Sequence, residues 1–254
     1  MEYVACAVPA APIRKKASHK SEMTNQLLFG ETMQVIKNKN QWLKTLSIHD
    51  HYEGWIRSNQ VERISEELAK GDTNWITAEL LNPIQLSGSK MNVSIGSSLL
   101  GYSQQNGQFG NLKYQFFEKS YNRKEIVPDE NLVTHLANQW LHSPYLWGGR
   151  TPLGVDCSGF VQVVFKMLGV ELARDAWQQS KQGKRISKLQ NASSGDLAFF
   201  HDDEEIVHVG ILLSVSEIIH AAGKVRIDQI DKKGIINADT GKRTHRLKVI
   251  RRFL

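Results

Sequence analysis

Residues 145–168 read YLWGGRTPLGVDCSGFVQVVFKML, and the prediction of fold and function starts from this stretch. Five apolar residues recur there at the spacing of one helix face: Phe160, Val161, Val164, Phe165 and Leu168. This spacing predicts a buried helix that begins close to Cys157. Unpaired backbone N–H groups and the positive end of the helix dipole would stabilise a thiolate at that position. We therefore predict that the pKa of the Cys157 thiol is lowered and that Cys157 is a nucleophile.

A purely structural role for Cys157 is the alternative, because a free cysteine usually behaves as a small buried hydrophobe. The neighbouring residues favour a site over a core position. Asp156 precedes the cysteine, and Ser158 and Gly159 follow it. Glycines just upstream, including Gly148 and Gly149, also permit tight turns and close backbone approach.

The composition limits the class of protein. The chain has 254 residues, a formal net charge of +6 and two cysteines, Cys6 and Cys157. No apolar run approaches the ~20 residues that cross a bilayer, so we expect no membrane span. The opening MEYVACAVPAAPIRKK places its basic residues after the apolar stretch, unlike a secretory signal, and we expect a cytoplasmic protein. The basic residues are spread along the chain without a recognisable motif, so no nucleic-acid partner is expected.

The order of predicted elements indicates a domain organisation. Short alternating strands between Ile13 and Val61 predict a small β-barrel. Polar residues 66–73 are interpreted as a linker, and weaker strand signals from Trp75 to Phe117 as a second, diverged barrel. Asp129 can cap a helix with an apolar face made of Leu132, Val133, Leu136, Ala137, Trp140 and Leu141. The cysteine helix and then strands within 195–200, 206–214, 217–221 and 248–253 predict an α+β domain with an antiparallel sheet.

A thiol nucleophile needs a base, and the base needs a third group that orients it. His208 lies in an apolar strand, and His220 lies in the next one. Antiparallel pairing of these strands would bring the two rings side by side, with His208 towards Cys157. Each histidine alone could be a satisfied core residue. Zinc binding by the cysteine and the two histidines is a further alternative, but it lacks a fourth ligand at a recognisable spacing, and we expect no metal and no cofactor.

The segments PYLWGG, DCSGFVQ, GDLAFF, HVGI and IIHA resemble the NlpC/P60 family of papain-like cell-wall peptidases in both order and spacing. The resemblance covers residues 128–254 and implies a catalytic domain of helices plus an antiparallel sheet. It implies Cys157 as nucleophile, His208 as general base and His220 as the orienting residue. It also implies that Tyr145 helps the backbone N–H of Cys157 to hold the oxyanion. A buried aromatic role is the alternative for Tyr145.

The segments PIRKKASHKSE, LLFGETMQVIKNKNQWLKTL and HYEGWIRSNQV resemble the bacterial SH3 (SH3b) domain. The predicted organisation is therefore an SH3b domain at residues 1–65, a diverged SH3b-like domain at 66–127 and the catalytic domain at 128–254. This arrangement resembles the γ-D-glutamyl-L-diamino-acid endopeptidases of the dipeptidyl-peptidase VI type, which recycle peptidoglycan stem peptides. It implies cleavage after L-Ala-γ-D-Glu in peptides with a free N-terminal L-Ala, and it leaves open whether the diamino acid is diaminopimelate or lysine.

The same resemblance implies which residues bind the substrate. Asp156, Tyr52 and Glu31 would hold the free amine, while Ser158 and Trp147 would line the cleft around D-Glu. For Tyr52 and Glu31, an ordinary role in the barrel is the alternative. Ala176 stands where relatives often have serine after an Arg-Asp pair, so one hydroxyl contact to the substrate carboxylate is missing. Two rival functions remain: a hydrolase of intact cell wall, and a non-catalytic protein that binds wall peptides.

Overall fold

The computed structural model describes residues 1–71 and 73–254, which form two compact units. The first unit comprises Met1–Ile126 and Trp147–Pro152, and the second comprises Val127–Leu146 and Leu153–Leu254. The assignment of Trp147–Pro152 to the first unit is not expected from the sequence, because this segment belongs to the stretch around Cys157. The three-domain division with boundaries after residues 65 and 127 stays a prediction.

The first unit is built almost entirely from short strands. Its elements are β1 (Glu2–Cys6), β2 (Ala10–Arg14), β3 (Met23–Leu28), β4 (Thr32–Lys39), β5 (Trp42–Ser47), β6 (Glu53–Arg57), β7 (Val61–Ile64), α1 (Glu66–Lys70), β8 (Trp75–Thr77), β9 (Leu81–Leu86), β10 (Ser89–Ser94), β11 (Tyr102–Ser103), β12 (Asn106–Phe109), β13 (Leu112–Gln115), β14 (Ser120–Asn122) and β15 (Arg150–Thr151), with a 3₁₀ turn at Ser58–Gln60. One sheet has the strand order β3-β2-β6-β5-β4-β1-β7, and a second has the order β10-β9-β13-β12-β11. The strands predicted between Ile13 and Val61 are confirmed.

The predicted linker at residues 66–73 is wrong for its first part, because Glu66–Lys70 forms the helix α1. The Ser65 side chain caps this helix by accepting a hydrogen bond from the backbone N–H of Leu68, and Ala69 is buried. The polar composition did not reveal the helix, because Ala69 is its one fully buried residue. Asp72, also in the predicted linker, lies outside the described residues.

The two sheets of the first unit are joined by shared apolar packing. Ala5 of β1 and Phe29 belong to the same buried cluster as Val93, Phe109 and Tyr114 of the second sheet. The Phe29 ring meets the Phe109 and Tyr114 rings edge-on, with centroids 5.4 Å apart in both pairs. Each sheet therefore buries part of its apolar face against the other.

Gly30 shows why the first unit needs a glycine after Phe29. Its backbone has φ +73°, and a Cβ placed on it would lie 1.9 Å from the carbonyl oxygen of Ser98. The backbone N–H of Ser98 donates to the carbonyl oxygen of Phe29, so the two segments are held at this close approach. Only glycine combines this conformation with the space available.

The second unit combines helices with a closed antiparallel barrel. Its elements are α2 (Glu130–Asn138), β16 (Gly154–Val155), α3 (Cys157–Met167), α4 (Ala176–Gln179), β17 (Lys184–Ile186), β18 (Leu197–Asp202), β19 (Glu205–Leu212), β20 (Glu217–Ala222), β21 (Lys224–Asp231), β22 (Gly234–Ile236) and β23 (Arg243–Arg252), with a 3₁₀ turn at Leu189–Asn191. The strand order is β17-β23-β18-β19-β20-β21-β22, and β22 also pairs with β23. This last pairing closes six strands into a ring.

The helix predicted after Asp129 is confirmed, including its cap. The Asp129 side chain accepts a hydrogen bond from the backbone N–H of Leu132. The predicted antiparallel sheet is present, but strands β21 and β22 were not predicted, and they are the strands that close the barrel. None of the helices in residues 1–71 and 73–254 is long and apolar enough to cross a membrane.

Candidate active site

Cys157 is the first residue of α3, as the sequence predicted. The side chain of Asp156 caps this helix, and its Oδ1 accepts a hydrogen bond of 2.7 Å from the backbone N–H of Gly159. Residues 157–167 are all buried, so the helix is packed on every side. The backbone of Ser158 and of Val209 hydrogen-bonds to the Cys157 sulfur, which therefore lies beside the strand residue that follows His208.

The prediction of a lowered thiol pKa is wrong. Burial, followed by the charge of the nearby Asp156 carboxylate, raises the pKa of Cys157 to about 12. The hydrogen bonds from Val209 and Ser158 and the charge of Arg174 oppose this shift but do not outweigh it. The helix dipole stabilises an anion at the N-terminus, but removing the sulfur from water disfavours the thiolate more strongly. The resting thiol is therefore protonated.

The two histidines predicted as a pair lie together on adjacent strands. Nε2 of His208 on β19 lies 2.8 Å from Nδ1 of His220 on β20, and the ring centroids are 5.0 Å apart. Both side chains are buried. Because Nε2 of His208 faces His220, Nδ1 is the nitrogen that can take a proton from a thiol. No hydrogen bond joins Cys157 to His208 within residues 1–71 and 73–254.

Gly210 makes room for this imidazole pair. A Cβ on Gly210 would lie 2.9 Å from the Cβ of His220 and 2.8 Å from Cδ1 of Ile218. Either contact is closer than side chains tolerate, so a larger residue would push β20 or the His220 ring away. Close packing against β20 therefore explains why the HVGI segment has a glycine at position 210.

Two residues that the sequence did not reveal complete the cluster. Oδ2 of Asp228 on β21 lies 3.0 Å from Nε2 of His220. The ring of His245 on β23 stacks on that of His208, with centroids 4.2 Å apart and an interplanar angle of 24°. Both come from the part of the chain between residues 222 and 247, where no strand was predicted. The partial alternation of apolar and polar residues in KVRIDQID, which is interrupted at Asp228, was the available signal for β21.

The environment keeps the imidazoles of His208 and His245 neutral at neutral pH. Burial and the neighbouring His220 and His245 hold the pKa of His208 well below its usual 6.5. Burial, together with His220, also lowers the pKa of His245 to about 4, against the opposing charge of Asp228. In the part of the chain that the structure describes, no group of three or more His, Cys, Asp or Glu side chains is arranged to hold a metal ion.

Tyr145 presents a protonated hydroxyl close to Cys157. Burial, followed by the neighbouring Cys157 and Asp156, raises the pKa of Tyr145 to about 12. Its backbone N–H donates to the carbonyl oxygen of Gly223, which fixes the segment beside the start of β21. The side chain is 37% exposed, so its hydroxyl can meet a ligand. Such a group can donate a hydrogen bond to an oxyanion throughout the neutral range.

Asp156 and Ser158 are held by Arg174 and are not open to solvent. Arg174 donates from Nη2 to Oδ2 of Asp156 at 2.5 Å and from Nη1 to Oδ1 at 3.0 Å. The same Nη1 donates to Oγ of Ser158 at 2.8 Å. In the sequence, Arg174 was noted only as part of the Arg-Asp pair before Ala176. In the structure, Arg174 orients the Asp156 carboxylate. The substrate-binding roles of Asp156 and Ser158 stay predictions.

The geometry does not support a direct substrate contact for Glu31. Its side chain is buried and forms a bidentate ion pair with Arg150, through Oε2 to Nη1 at 2.7 Å and Oε1 to Nη2 at 2.9 Å. Oε2 also accepts from the backbone N–H of Leu28. The amine-binding role of Glu31 was predicted from the family resemblance, and the pairing with Arg150, 119 residues away, was not visible in the sequence.

The two remaining predicted residues lie in the first unit. Trp147 is 60% exposed, and its indole Nε1 donates to Oε1 of Glu22 at 2.9 Å. Tyr52 is half-buried and packs against the apolar cluster of the seven-stranded sheet in the first unit. Neither position tests the proposed contact with substrate, so the roles of Trp147 and Tyr52 stay predictions.

Comparison with known proteins identifies the domains. Residues 142–244 match the model of the NlpC/P60 family, and residues 13–61 match that of the bacterial dipeptidyl-peptidase Sh3 domain. The chain thus carries an NlpC/P60 cysteine-peptidase domain behind a bacterial SH3 domain.

The chain is similar to curated relatives over most of its length. The chain is 29% identical to the gamma-D-glutamyl-L-lysine dipeptidyl-peptidase of Bacillus subtilis, over 77% of this chain and 71% of the relative. It is 25% identical to dipeptidyl-peptidase 6 of Lysinibacillus sphaericus, over 84% and 86% of the two chains. The crystal structure of an NlpC/P60 family protein from Bacillus cereus has the same fold, with a TM-score of 0.82 and 19% identity over 99% of each chain.

Proposed function

We propose that this protein is a cysteine endopeptidase that releases L-Ala-γ-D-Glu from peptidoglycan-derived peptides by cleaving the bond between γ-D-Glu and the diamino acid. The observation that carries the catalytic part is the hydrogen-bonded His208–His220 pair beside the helix that begins with Cys157. The substrate class is supported by relatives named as gamma-D-glutamyl-L-lysine dipeptidyl-peptidases, which this chain matches across both its SH3 and NlpC/P60 parts.

The reaction starts from a neutral thiol. Nδ1 of His208 takes the thiol proton as the Cys157 sulfur attacks the carbonyl carbon of the γ-amide. His208 then gives this proton to the nitrogen of the leaving diamino acid, and a thioester remains on Cys157. Water attacks the thioester, passes a proton to His208 and restores the thiol when the dipeptide leaves. Catalytic hydrogen bonds are often long in a free enzyme and tighten in the substrate complex. We expect the same tightening to form the hydrogen bond between the Cys157 thiol and Nδ1 of His208.

The oxyanion of both tetrahedral intermediates is held by two donors. The backbone N–H of Cys157 lies in the first turn of α3, where N–H groups have no partner within the helix. The hydroxyl of Tyr145, kept protonated by its raised pKa, is the second donor. Donors that are fixed before the reaction stabilise the developing charge most effectively.

The substrate would be selected through its free N-terminal amine. The Asp156 carboxylate, held in a fixed orientation by Arg174, would bind the ammonium. The family resemblance implies an amine-binding role for Tyr52 as well. Ser158 and Trp147 would line the cleft around the D-Glu residue. Glu31 would act indirectly, because its carboxylate is engaged by Arg150.

Two finer assignments belong to this proposal. The second sheet of the first unit would be a diverged SH3 module, which is supported by its five short antiparallel strands. The protein would act in the cytoplasm on peptides recycled from the wall, which is consistent with its two free thiols. Fractionation of the native host, with the protein found in the periplasm or medium, would contradict this location.

The proposed reaction is tested with defined tripeptides. The protein is incubated with L-Ala-γ-D-Glu-meso-diaminopimelate and with the corresponding L-lysine peptide, and products are read by mass spectrometry. We expect L-Ala-γ-D-Glu from at least one of them and no product from Cys157→Ala. Absence of the dipeptide from a folded protein whose Cys157 can be alkylated would refute the proposal.

Two rivals are separated by related measurements. Intact sacculi have the L-Ala amine blocked by muramic acid, so their solubilisation would favour a hydrolase of intact wall. If the protein only binds wall peptides without cleaving them, the unmodified protein and the Cys157→Ala variant would give the same result in every assay. Equal cleavage of free and acetylated peptides would argue against an amine-binding cleft.

A further inference from the structure

We propose that Asp228 is a positioning residue that makes His208 the donor in its hydrogen bond to His220 and so leaves the reactive nitrogen of His208 unprotonated. This inference rests on the proposed function, since it assigns His208 as the base. It adds a fourth member to the chain formed by Cys157, His208 and His220. The Asp228 side chain is buried on β21, directly opposite Ile218 and two residues from Arg226, which is opposite His220.

The two oxygens of Asp228 have different partners. Oδ1 accepts three hydrogen bonds: from Nε of Arg226 at 3.1 Å, from Nη2 of Arg226 at 2.8 Å and from the backbone N–H of Ala238 at 2.9 Å. Oδ2 faces Nε2 of His220. Burial alone raises the pKa of Asp228, but the hydrogen bonds from His220, Ala238 and Arg226 outweigh it and bring that pKa to about 2. Asp228 is therefore an acceptor at every working pH.

An acceptor at this point fixes both tautomers. Because Oδ2 can only accept, Nε2 of His220 carries the proton. Nδ1 of His220 is then an acceptor, so Nε2 of His208 must carry the proton of the bond between the two rings. Nδ1 of His208 is left with a lone pair, which is the form that a base needs. Arg226 donates to the Asp228 carboxylate and also forms an ion pair with Asp239 through Nη1. The ring of His245 stacks on the ring of His208.

The substitution Asp228→Asn inverts this direction without changing the shape of the side chain. The three donors around Oδ1 demand an oxygen there, so the amide nitrogen must face His220. That nitrogen is a donor, and His220 would have to accept at Nε2 and carry its proton on Nδ1. His208 would then accept at Nε2 and be protonated at Nδ1, where it could no longer take the thiol proton.

The test compares Asp228→Asn with Asp228→Ala. Alanine removes the acceptor without supplying a donor, so a fraction of molecules keeps the productive tautomer. We expect Asp228→Asn to lower kcat on the order of 10³-fold with KM nearly unchanged, and Asp228→Ala to lower it less although it destabilises the protein more. A merely structural role predicts the opposite order. Asp231→Asn, the same change in an exposed ion pair on the same strand, is the matched control and should retain kcat.

The tautomers themselves are read by ¹⁵N NMR of the imidazoles, which needs no substrate. In the unmodified protein, His208 should be protonated on Nε2, and in Asp228→Asn on Nδ1. An Asp228→Asn variant at least as active as Asp228→Ala, or unchanged ¹⁵N tautomers, would overturn the proposal. If the unmodified protein cleaved no wall peptide, the proposed function would fail, while the NMR result would still decide the role of Asp228.

Discussion

At the scale of single residues, the thiol and the imidazole that would perform the chemistry are both neutral. Burial raises the pKa of Cys157 to about 12 and holds that of His208 well below 6.5. A preformed thiolate–imidazolium pair would require the opposite order of these two pKa values. The proton must therefore move from sulfur to nitrogen during the attack, as in hydroxyl nucleophiles.

This order of pKa values predicts the pH dependence of Cys157 alkylation. Since the thiolate form grows only as pH rises towards about 12, the rate of reaction with iodoacetamide should increase steadily between roughly pH 5 and pH 9. The measurement is peptide mapping of carboxamidomethylated Cys157 at a series of pH values. A plateau from about pH 5 upwards, lost in His208→Ala, would instead reveal an ion pair.

The same residues predict the acid limb of catalysis. His208 can act as a base only while it is neutral, and it becomes protonated as pH falls through its lowered pKa. We therefore expect kcat/KM to be retained at about pH 6 and lost only further below the usual histidine pKa of ~6.5. An acid limb centred at or above pH ~6.5 would contradict the lowered pKa.

At the scale of elements, the strands β19 and β20 decide whether the imidazoles meet. Their ladder pairs Ile211 with Ile219 and Leu212 with Ile218. The small residue Gly210 then lets His220 approach. The hydrogen bond between the two rings depends on this close spacing, which no other residue type at position 210 permits without a shift.

The expected consequence is that Gly210→Ala lowers kcat by on the order of 10²-fold, because a displacement of about 1 Å is enough to misalign a catalytic group. Steady-state kinetics with the tripeptide measure the effect, and urea denaturation measures stability. The matched control is Gly241→Ala, which has φ +66° and open space around it. It should destabilise the protein by ~1 kcal/mol and keep full kcat. Equal kcat in both variants would disprove the spacing argument.

At the scale of the whole molecule, one buried ion pair holds together distant parts of the chain within the first unit. Arg150 belongs to the segment Trp147–Pro152, and its guanidinium pairs with Glu31 and donates to the carbonyl oxygen of Gln26. The backbone N–H of Arg150 also donates to the Gln26 side chain. The segment Trp147–Pro152 is thus anchored within the first unit by residues from the beginning of the sequence.

We expect Glu31→Ala to destabilise the protein by ~3–5 kcal/mol, because it leaves the buried guanidinium of Arg150 without its counter-charge. Urea denaturation gives the difference in free energy of unfolding. Glu53→Ala, which breaks the exposed pair with Lys44 in the same barrel, is the control and should cost at most ~1 kcal/mol. If Glu31→Ala kept full stability but lost the preference for a free amine, the carboxylate would serve the substrate instead.

Local patterns predicted much of the molecule. The spacing of apolar residues located α2 and α3, with Asp129 as the cap of α2, and short apolar runs located the strands that carry His208 and His220. These features depend on neighbours within a few positions, which a sequence displays directly. Strands β21 and β22 escaped prediction because their alternation is interrupted by charged and polar residues. Asp228 was missed with them.

The amino-acid sequence by itself determined the helix that begins at Cys157, the strands of the two paired histidines and the family of the domain, because each is written in short-range spacing. The tertiary structure alone decided that Asp228 meets His220, that Arg150 neutralises Glu31 and that the resting thiol is protonated. The contact between Asp228 and His220 depends on strand register, and the ion pair between Arg150 and Glu31 joins residues over a hundred positions apart. The protonation of the thiol depends on how completely the fold removes the Cys157 sulfur from water.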